Sequence, residues 1–179
     1  MITQNFKSSN ARVILGIDPG TSRLGWAVVE KNTEYGIQNT GEIRLLGCGL
    51  IESASKTPLA ERLELIFTEL NKIIKKYKPQ ELAIEELFFV KNVKTGISVA
   101  HARGVAMLSG KQNNLEIFEY KPNEIKLGVT GYGHADKGQI VRMLKLHLKN
   151  CTVKQDDTAD AVAVALYHIQ TNQKLKIKN

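Results

Sequence analysis

The stretch RVILGIDPGTSRLGWAVV, residues 12–29, decides how the fold begins. Two short apolar runs, RVILGID at 12–18 and LGWAVV at 24–29, flank PGTSR at 19–23, which is dense in residues that favour turns. This pattern predicts a β-hairpin. Asp18 closes the first predicted strand, and Asp-Pro-Gly is also an ordinary turn sequence in which the aspartate bonds to its own backbone.

Beyond the hairpin, the chain changes to an alternation of helices and strands. Residues 42–53 predict a third strand, whose two glycines favour a bulge or bend. Residues 58–77 carry apolar side chains at spacings of three and four, which predicts a helix. Thr57 would cap this helix, Pro58 would take its first position, and Pro79 would end it. Further strands are predicted at 82–87 and 115–120, and further helices at 95–110, 137–148 and 158–169. This order predicts an α/β fold with a mixed central sheet flanked by helices.

The composition is that of a soluble globular protein with one domain. The 179 residues are 42% hydrophobic and 24% charged, which argues against intrinsic disorder and leaves little room for two domains. No apolar run approaches the roughly 18 residues of a membrane helix, and the first ten residues lack the apolar core of a signal peptide. We therefore expect a cytoplasmic protein without a membrane partner. The domain is expected at 11–170, with flexible tails at 1–10 and 171–179.

The positive charge is concentrated in the middle of the chain. The formal net charge is +7, and residues 86–154 hold eleven basic residues against five acidic ones. Such a segment attracts polyanions, because each lysine or arginine that neutralises a phosphate releases condensed counterions. A solvated basic surface is the simpler alternative, so the charge favours a nucleic-acid partner without requiring one.

Several acidic residues stand where an apolar core is expected. Asp18 ends one predicted strand and Glu85 lies in or at the end of another, where an uncompensated charge is costly. Asp156, Asp157 and Asp160 begin the last predicted helix, with spacings that place two of them on one face. A turn, an outward-facing strand position and a helix cap remain simpler explanations. Hard divalent cations bind carboxylate oxygens, and two such ions about 4 Å apart support phosphodiester hydrolysis. These acids are therefore candidate metal ligands.

Four blocks of sequence also resemble a known family. They are LGIDPGTSRLGWAVVE at 15–30, LAIEELFFVKNVKTGISVAHARGVA at 82–106, GYGHADKGQIV at 131–141 and DDTADAVAVAL at 156–166. With these blocks in the family's order, the chain resembles the RuvC family of Holliday-junction resolvases over residues 13–170. The resemblance implies an RNase H-like fold and Mg²⁺-dependent paired nicking of four-way DNA junctions. It also implies a homodimer, with the predicted helix after Glu85 near its two-fold axis, and a branch-migration motor complex as partner.

The resemblance assigns site residues by position. The catalytic metal ligands would be Asp18, Glu85, Asp157 and Asp160, holding two Mg²⁺ ions that Mn²⁺ would replace. Glu86 and Asp156 would be bystanders, although a shift by one position stays open. The candidate DNA contacts are one aromatic residue suited to stacking on bases and six cations: Phe88, Lys91, Lys94, Arg103, Lys126, Lys137 and Arg142.

Three other interpretations remain open from the sequence. Actin-like ATPases and sugar kinases also begin with a strand and an Asp-x-Gly-Thr loop, but they need a second lobe and a further glycine-rich loop. A non-catalytic junction-binding protein would need only the basic surface. Another RNase H-like nuclease, acting on RNA–DNA hybrid or other branched DNA, would use the same acids. The four histidines have no metal-ligand spacing and are interpreted as surface or core residues.

Overall fold

A computed structural model describes the chain over residues 11–32, 42–54, 56–87, 93–153 and 157–171. The side chains of residues 93–95 and 157 fall outside this description. The five strands are β1 (Ala11–Asp18), β2 (Arg23–Asn32), β3 (Ile43–Glu52), β4 (Glu81–Glu85) and β5 (Glu116–Tyr120). The five helices are α1 (Leu59–Tyr77), α2 (Val93–Gln112), α3 (Pro122–Thr130), α4 (Lys137–His147) and α5 (Asp157–Thr171). Of the tails predicted at 1–10 and 171–179, all residues but Thr171 lie outside the described residues, and Thr171 is the last residue of α5.

The strands form one mixed sheet in the order β3-β2-β1-β4-β5. Strands β1, β2 and β3 pair antiparallel, whereas β4 pairs parallel to both β1 and β5. The predicted hairpin is confirmed, with Ile17 opposite Trp26. The predicted irregularity in the third strand is also found. Val28 pairs with Gly47 while Val29 pairs with Leu45, which leaves one extra residue in β3.

Helices cover both faces of the sheet, as the α/β prediction requires. Because side chains alternate along a strand, Val13, Leu15 and Ile17 of β1 join a core under α1 and α2. Ile14 of β1 and Ala83 of β4 join the opposite core, under α3, α4 and α5. The central strands are therefore buried on both sides.

The ends of the predicted elements differ from the observed ones by up to three residues, as the start of α1 and the end of β4 illustrate. Pro58, in extended conformation, is the N-cap of α1 and makes no side-chain cap bond, so the predicted capping by Thr57 is wrong. The Thr57 carbonyl instead accepts a 2.7 Å hydrogen bond from Arg62 Nε. Strand β4 ends at Glu85, two residues earlier than predicted. The end of α1 before Pro79 is confirmed, with Lys78 in the left-handed conformation.

Helix α3 is absent from the sequence prediction. It is only nine residues long and contains Gly128, Val129 and Thr130, which have modest helix propensity. Tertiary packing stabilises it, because Ile125 and Val129 are buried against α5 and its neighbours. None of the helices in the described residues combines the length and the apolar character needed to cross a membrane.

Candidate active site

Two carboxylates lie side by side at one edge of the sheet. Asp18 is the last residue of β1 and Glu85 is the last residue of β4. These strands are parallel neighbours, with Ile17 opposite Ile84, so their carboxyl ends meet at the same edge. By strand alternation, both acidic side chains face the α5 side of the sheet, as Ile14 and Ala83 do.

Helix α5 brings a third carboxylate to this edge. The helix packs closely on β1 at Gly16, where a Cβ would lie 2.5 Å from the Ala161 carbonyl oxygen and 2.7 Å from the Ala165 Cβ. The lack of a side chain at Gly16 therefore permits the close approach of helix and strand. Asp160, one residue before Ala161, is placed beside the end of β1.

The three acids share a cleft of about 370 Å³ with two lysines. Lys126 comes from α3 and Lys137 is the first residue of α4, so the helix missed in the sequence supplies part of the site. Lys137 Nζ lies 3.2 Å from Asp160 Oδ2. The apolar walls come from residues of the same three helices: Ile125, Val129, Ile140 and Ala163.

The electrostatics of the cleft centre on Glu85. Burial, together with the carboxylates of Asp18 and Asp160, raises the pKa of Glu85 to about 7. The Lys126 ammonium opposes this rise in the pKa of Glu85. Three acids that repel one another in a partly buried cleft are stabilised by a bound cation. Their hard oxygen donors match Mg²⁺ or Mn²⁺.

The described side chains alone do not complete a metal site. Within them, no three His, Cys, Asp or Glu side chains are gathered closely enough to hold an ion. The predicted fourth ligand, Asp157, is the first residue of α5, three positions before Asp160 and so on the same helix face. Its side chain lies outside the described part of the chain. The oxygen donors nonetheless fit a hard cation.

A family model described as crossover junction endodeoxyribonuclease RuvC matches residues 14–168. The chain belongs to the RuvC family. RuvC of Brachyspira hyodysenteriae is 47% identical over 162 residues, which cover 90% of this chain and 96% of that protein. RuvC of Alkaliphilus oremlandii is 46% identical over 170 residues, which cover 93% and 99%. Membership of the RuvC family identifies the chain as a crossover junction endodeoxyribonuclease.

Solved RuvC structures confirm the RNase H-like fold. The structure of Thermus thermophilus RuvC has a TM-score of 0.78 at 27% identity and covers 90% of this chain and 96% of that one. The T. thermophilus RuvC structure in complex with Holliday junction substrate has a TM-score of 0.81 at 26% identity, with 91% and 96% covered. The RuvC assignment replaces the ATPase and sugar-kinase interpretation.

The residues predicted to contact DNA lie in several separate parts of this RuvC protein. Lys126 and Lys137 line the cleft with the acids. Arg142 lies in a second depression of about 210 Å³, together with the exposed Tyr132. Arg103 lies elsewhere, bound to the Glu85 main chain and to Glu119. Phe88 and Lys91 lie outside the described residues, as does the side chain of Lys94.

A buried polar network at the other end of α5 was missed from the sequence. His168 is fully buried, with Nε2 2.5 Å from Glu81 Oε2 and Nδ1 2.6 Å from the Tyr120 hydroxyl. Arg12 donates to both carboxylate oxygens of Glu81. Two features of the sequence could have indicated this network. They are the charged Glu81 in the apolar run ELAIE and a histidine in the apolar end of the last helix. The interpretation of His168 as a surface or core residue did not include this role.

Proposed function

We propose that this RuvC protein resolves Holliday junctions by Mg²⁺-dependent paired nicks in recombination and repair. The observation that carries the proposal is the meeting of Asp18, Glu85 and Asp160 in one cleft from two strand ends and a helix. Further support comes from the relative whose structure was solved in complex with Holliday junction substrate. The nucleases of this family depend on metal ions, which agrees with the oxygen-rich cleft.

In this proposal, Asp18, Glu85, Asp157 and Asp160 hold two Mg²⁺ ions, which Mn²⁺ replaces. Bound ions of this kind supply an activated water and stabilise the leaving oxygen, giving 5′-phosphate and 3′-hydroxyl ends. The protein's own contribution is to hold the acids close together and to exclude part of the solvent. Lys126 and Lys137 line the same cleft as the acids and would orient the phosphates that flank the cleaved bond.

Other basic side chains would hold the arms of the junction. Lys91, Lys94 and Arg142 are proposed to bind phosphates, and Phe88 to stack on a base where the strands exchange. Arg142 is exposed on α4, outside the cleft that contains the acids. Its removal would therefore weaken junction binding without displacing the carboxylates.

The proposed assembly is a cytoplasmic homodimer that works with a branch-migration motor complex. A two-fold dimer would place its two active sites against the two symmetry-related strands of a junction, which is the geometric condition for paired cuts. Helix α2 exposes Ile97 and Leu108, which are 55% and 52% accessible. Such apolar side chains on one helix support an interface through α2.

The proposal is tested with a labelled four-way junction, a linear duplex and an RNA–DNA hybrid, each with and without Mg²⁺. Wild type is compared with Asp18→Asn and with Glu69→Gln, a matched acid-to-amide change on the exposed surface of α1. We expect symmetric nicks on the junction only, which Asp18→Asn abolishes while junction binding persists. Glu69→Gln should cut as wild type does.

Two results would overturn the proposal. Tight junction binding without cleavage in Mg²⁺ or Mn²⁺ would favour a structural junction-binding protein. Preferential cleavage of the hybrid would assign the chain to another branch of RNase H-like nucleases.

A further inference from the structure

Arg103 lies on the opposite side of the sheet from the acidic cleft. Its partner Glu119 pairs across the sheet with Ile84, and residues in register on neighbouring strands share a face. Ile84 belongs to the core under α1 and α2. The Arg103–Glu119 ion pair therefore lies on the α2 side, whereas the Glu85 carboxylate faces the α5 side.

Arg103 nevertheless contacts the backbone of the residue that carries this carboxylate. Arg103 Nε donates a 3.3 Å hydrogen bond to the Glu85 carbonyl oxygen, at the point where β4 ends. The guanidinium also pairs with Glu119 near the end of β5, and its side chain is only 18% exposed. The Arg103 guanidinium thus joins the ends of two neighbouring strands. Its planar group holds several N–H donors in a fixed geometry, which suits two contacts at once.

The same helix also contacts the loop that follows Asp18. Thr21 Oγ1 lies 2.6 Å from Ser98 Oγ, and Thr21 is buried. Helix α2 is therefore bonded both to the end of β4 and to the turn after β1. Glu85 is the last residue of β4, and Thr21 lies three residues after Asp18, the last residue of β1.

We propose that Arg103 is a positioning residue that fixes the Glu85 end of β4 for the metal-dependent reaction, and that it is not a phosphate contact. This inference rests on the proposed function for its effect on cleavage. A misplacement of about 1 Å in a catalytic group costs about a hundredfold in rate, so a modest loosening at Glu85 has a measurable effect.

Substitution of Glu119 distinguishes the two possible roles of Arg103, because each role predicts a different effect on junction binding and cleavage. If Arg103 binds phosphate, Glu119 competes with DNA for the guanidinium, and Glu119→Gln should strengthen junction binding. If Arg103 positions β4, Glu119→Gln should slow cleavage and leave binding unchanged. Glu119 is 42% exposed, so this variant is expected to fold.

The experiment compares Arg103→Gln, Arg103→Lys and Glu119→Gln with Lys72→Gln, a matched loss of one surface cation on α1. Junction affinity is measured in EDTA over a series of salt concentrations. Single-turnover cleavage at saturating enzyme is measured over a series of Mg²⁺ concentrations. For Arg103→Gln we expect affinity within about twofold of wild type and a cleavage rate lower by about ten- to a hundredfold. Glu119→Gln should be slowed less, and both variants should need more Mg²⁺.

Amide hydrogen exchange provides a readout without metal or DNA. The Glu86 N–H donates a 2.8 Å hydrogen bond to the Tyr120 carbonyl oxygen, directly after the Arg103 contact. In Arg103→Gln this amide should exchange faster by about tenfold, with Ala83 unchanged, because only the strand end is loosened. A general loss of stability would instead accelerate both amides.

Either of two outcomes overturns the inference. One is weaker junction binding in Arg103→Gln, with a salt slope reduced by about one and with tighter binding in Glu119→Gln, as a phosphate contact requires. The other is unchanged exchange at Glu86. If the wild type fails to cleave junctions, the proposed function is wrong. The exchange rate of the Glu86 amide still tests whether Arg103 holds the end of β4 in place, because that measurement needs neither metal nor DNA.

Discussion

Single charged residues decide both the stability and the reactivity of this RuvC protein. At one end of β4, burial acts to raise the pKa of Glu81, but hydrogen bonds from His168 and Arg12 outweigh it and hold that pKa at about 2. At the other end of the same strand, burial and two carboxylates raise the pKa of Glu85 to about 7. One five-residue strand therefore carries a hydrogen-bonded acid at its start and an acid that neighbouring carboxylates repel at its end.

The Glu81 network predicts loss of stability in acid. The pKa of Glu81 lies below its ordinary value of 4.5, so its stabilising effect is present above about pH 4.5 and is lost as the pH falls towards about 2. Glu81→Gln should lower the free energy of unfolding at pH 7 by about 3 to 5 kcal/mol, because the partly buried Arg12 and the fully buried His168 lose their carboxylate partner. The same substitution should also make the free energy of unfolding less dependent on pH below pH 4.5. Urea unfolding at several pH values measures both effects, and an unchanged pH slope would contradict the assignment.

The Glu85 site predicts the opposite dependence. Because the folded protein raises the pKa of Glu85 from 4.5 to about 7, this acid destabilises the fold as the pH rises through that interval. Without metal at pH 8, Asp18→Asn should therefore stabilise the protein by about 0.5 to 2 kcal/mol while it abolishes cleavage. At pH 4 the difference in stability between Asp18→Asn and the wild type should be much smaller. Thermal unfolding in EDTA tests this, with Glu69→Gln as the control that should show no change.

At the level of secondary structure, the packing of α5 on β1 brings Asp160 into the same cleft as Asp18 and Glu85. Residues Ala161 to Leu166 are all buried, so this part of α5 is enclosed between the sheet and the neighbouring helices. At Gly16 the helix and the strand approach too closely for a Cβ. The apolar pattern of α5 predicts that the helix is buried. That it lies over both β1 and β2 is known only from the structure.

A methyl group at Gly16 should therefore move α5 and Asp160. Gly16→Ala is expected to cost about 1 to 3 kcal/mol of stability, because the added Cβ meets the backbone of α5. Cleavage should fall with Mg²⁺ saturating. Gly133→Ala is the control in the loop before α4, where a Cβ also meets nothing within 4 Å. That control should change the free energy of unfolding by no more than about 0.5 kcal/mol. Equal effects of the two substitutions on urea unfolding would refute the close-approach argument.

At the scale of the whole molecule, two cores stabilise the domain without help from the active site. One contains α1 and α2 packed on β1, β2 and β4, and the other contains α3, α4 and α5 on the opposite face. The cleft lies at the edge of the second core, so a bound ion is not a structural centre. The fold therefore holds three repelling carboxylates in place before a metal binds.

We accordingly expect the domain to fold without metal. A sample in EDTA should unfold in a single cooperative transition, because its core is large enough by itself. Mg²⁺ should raise the melting temperature only through binding to the folded state, by an amount that grows with ion concentration. Calorimetry in EDTA and over a Mg²⁺ series measures both. A metal-free sample without a cooperative transition would contradict this expectation.

Local sequence patterns were enough to predict the features that depend on neighbouring residues. The alternation in residues 12–29 specified the hairpin, and spacings of three and four specified α1. The acids at 18, 85 and 160 stood out because each interrupts or borders an apolar run. A local pattern reports local burial, so these predictions needed no knowledge of the partner elements.

Contacts between residues far apart in the chain became known from the three-dimensional fold. The strand order β3-β2-β1-β4-β5 and the packing of α5 on Gly16 bring Asp18, Glu85 and Asp160 to one cleft. The same packing buries His168 against Glu81 and places Arg103 on the face away from the cleft. Helix α3, too short and too weak in propensity to be predicted, delivers Lys126. These contacts join elements far apart in the chain, and their free energy comes from packing that no local sequence pattern records.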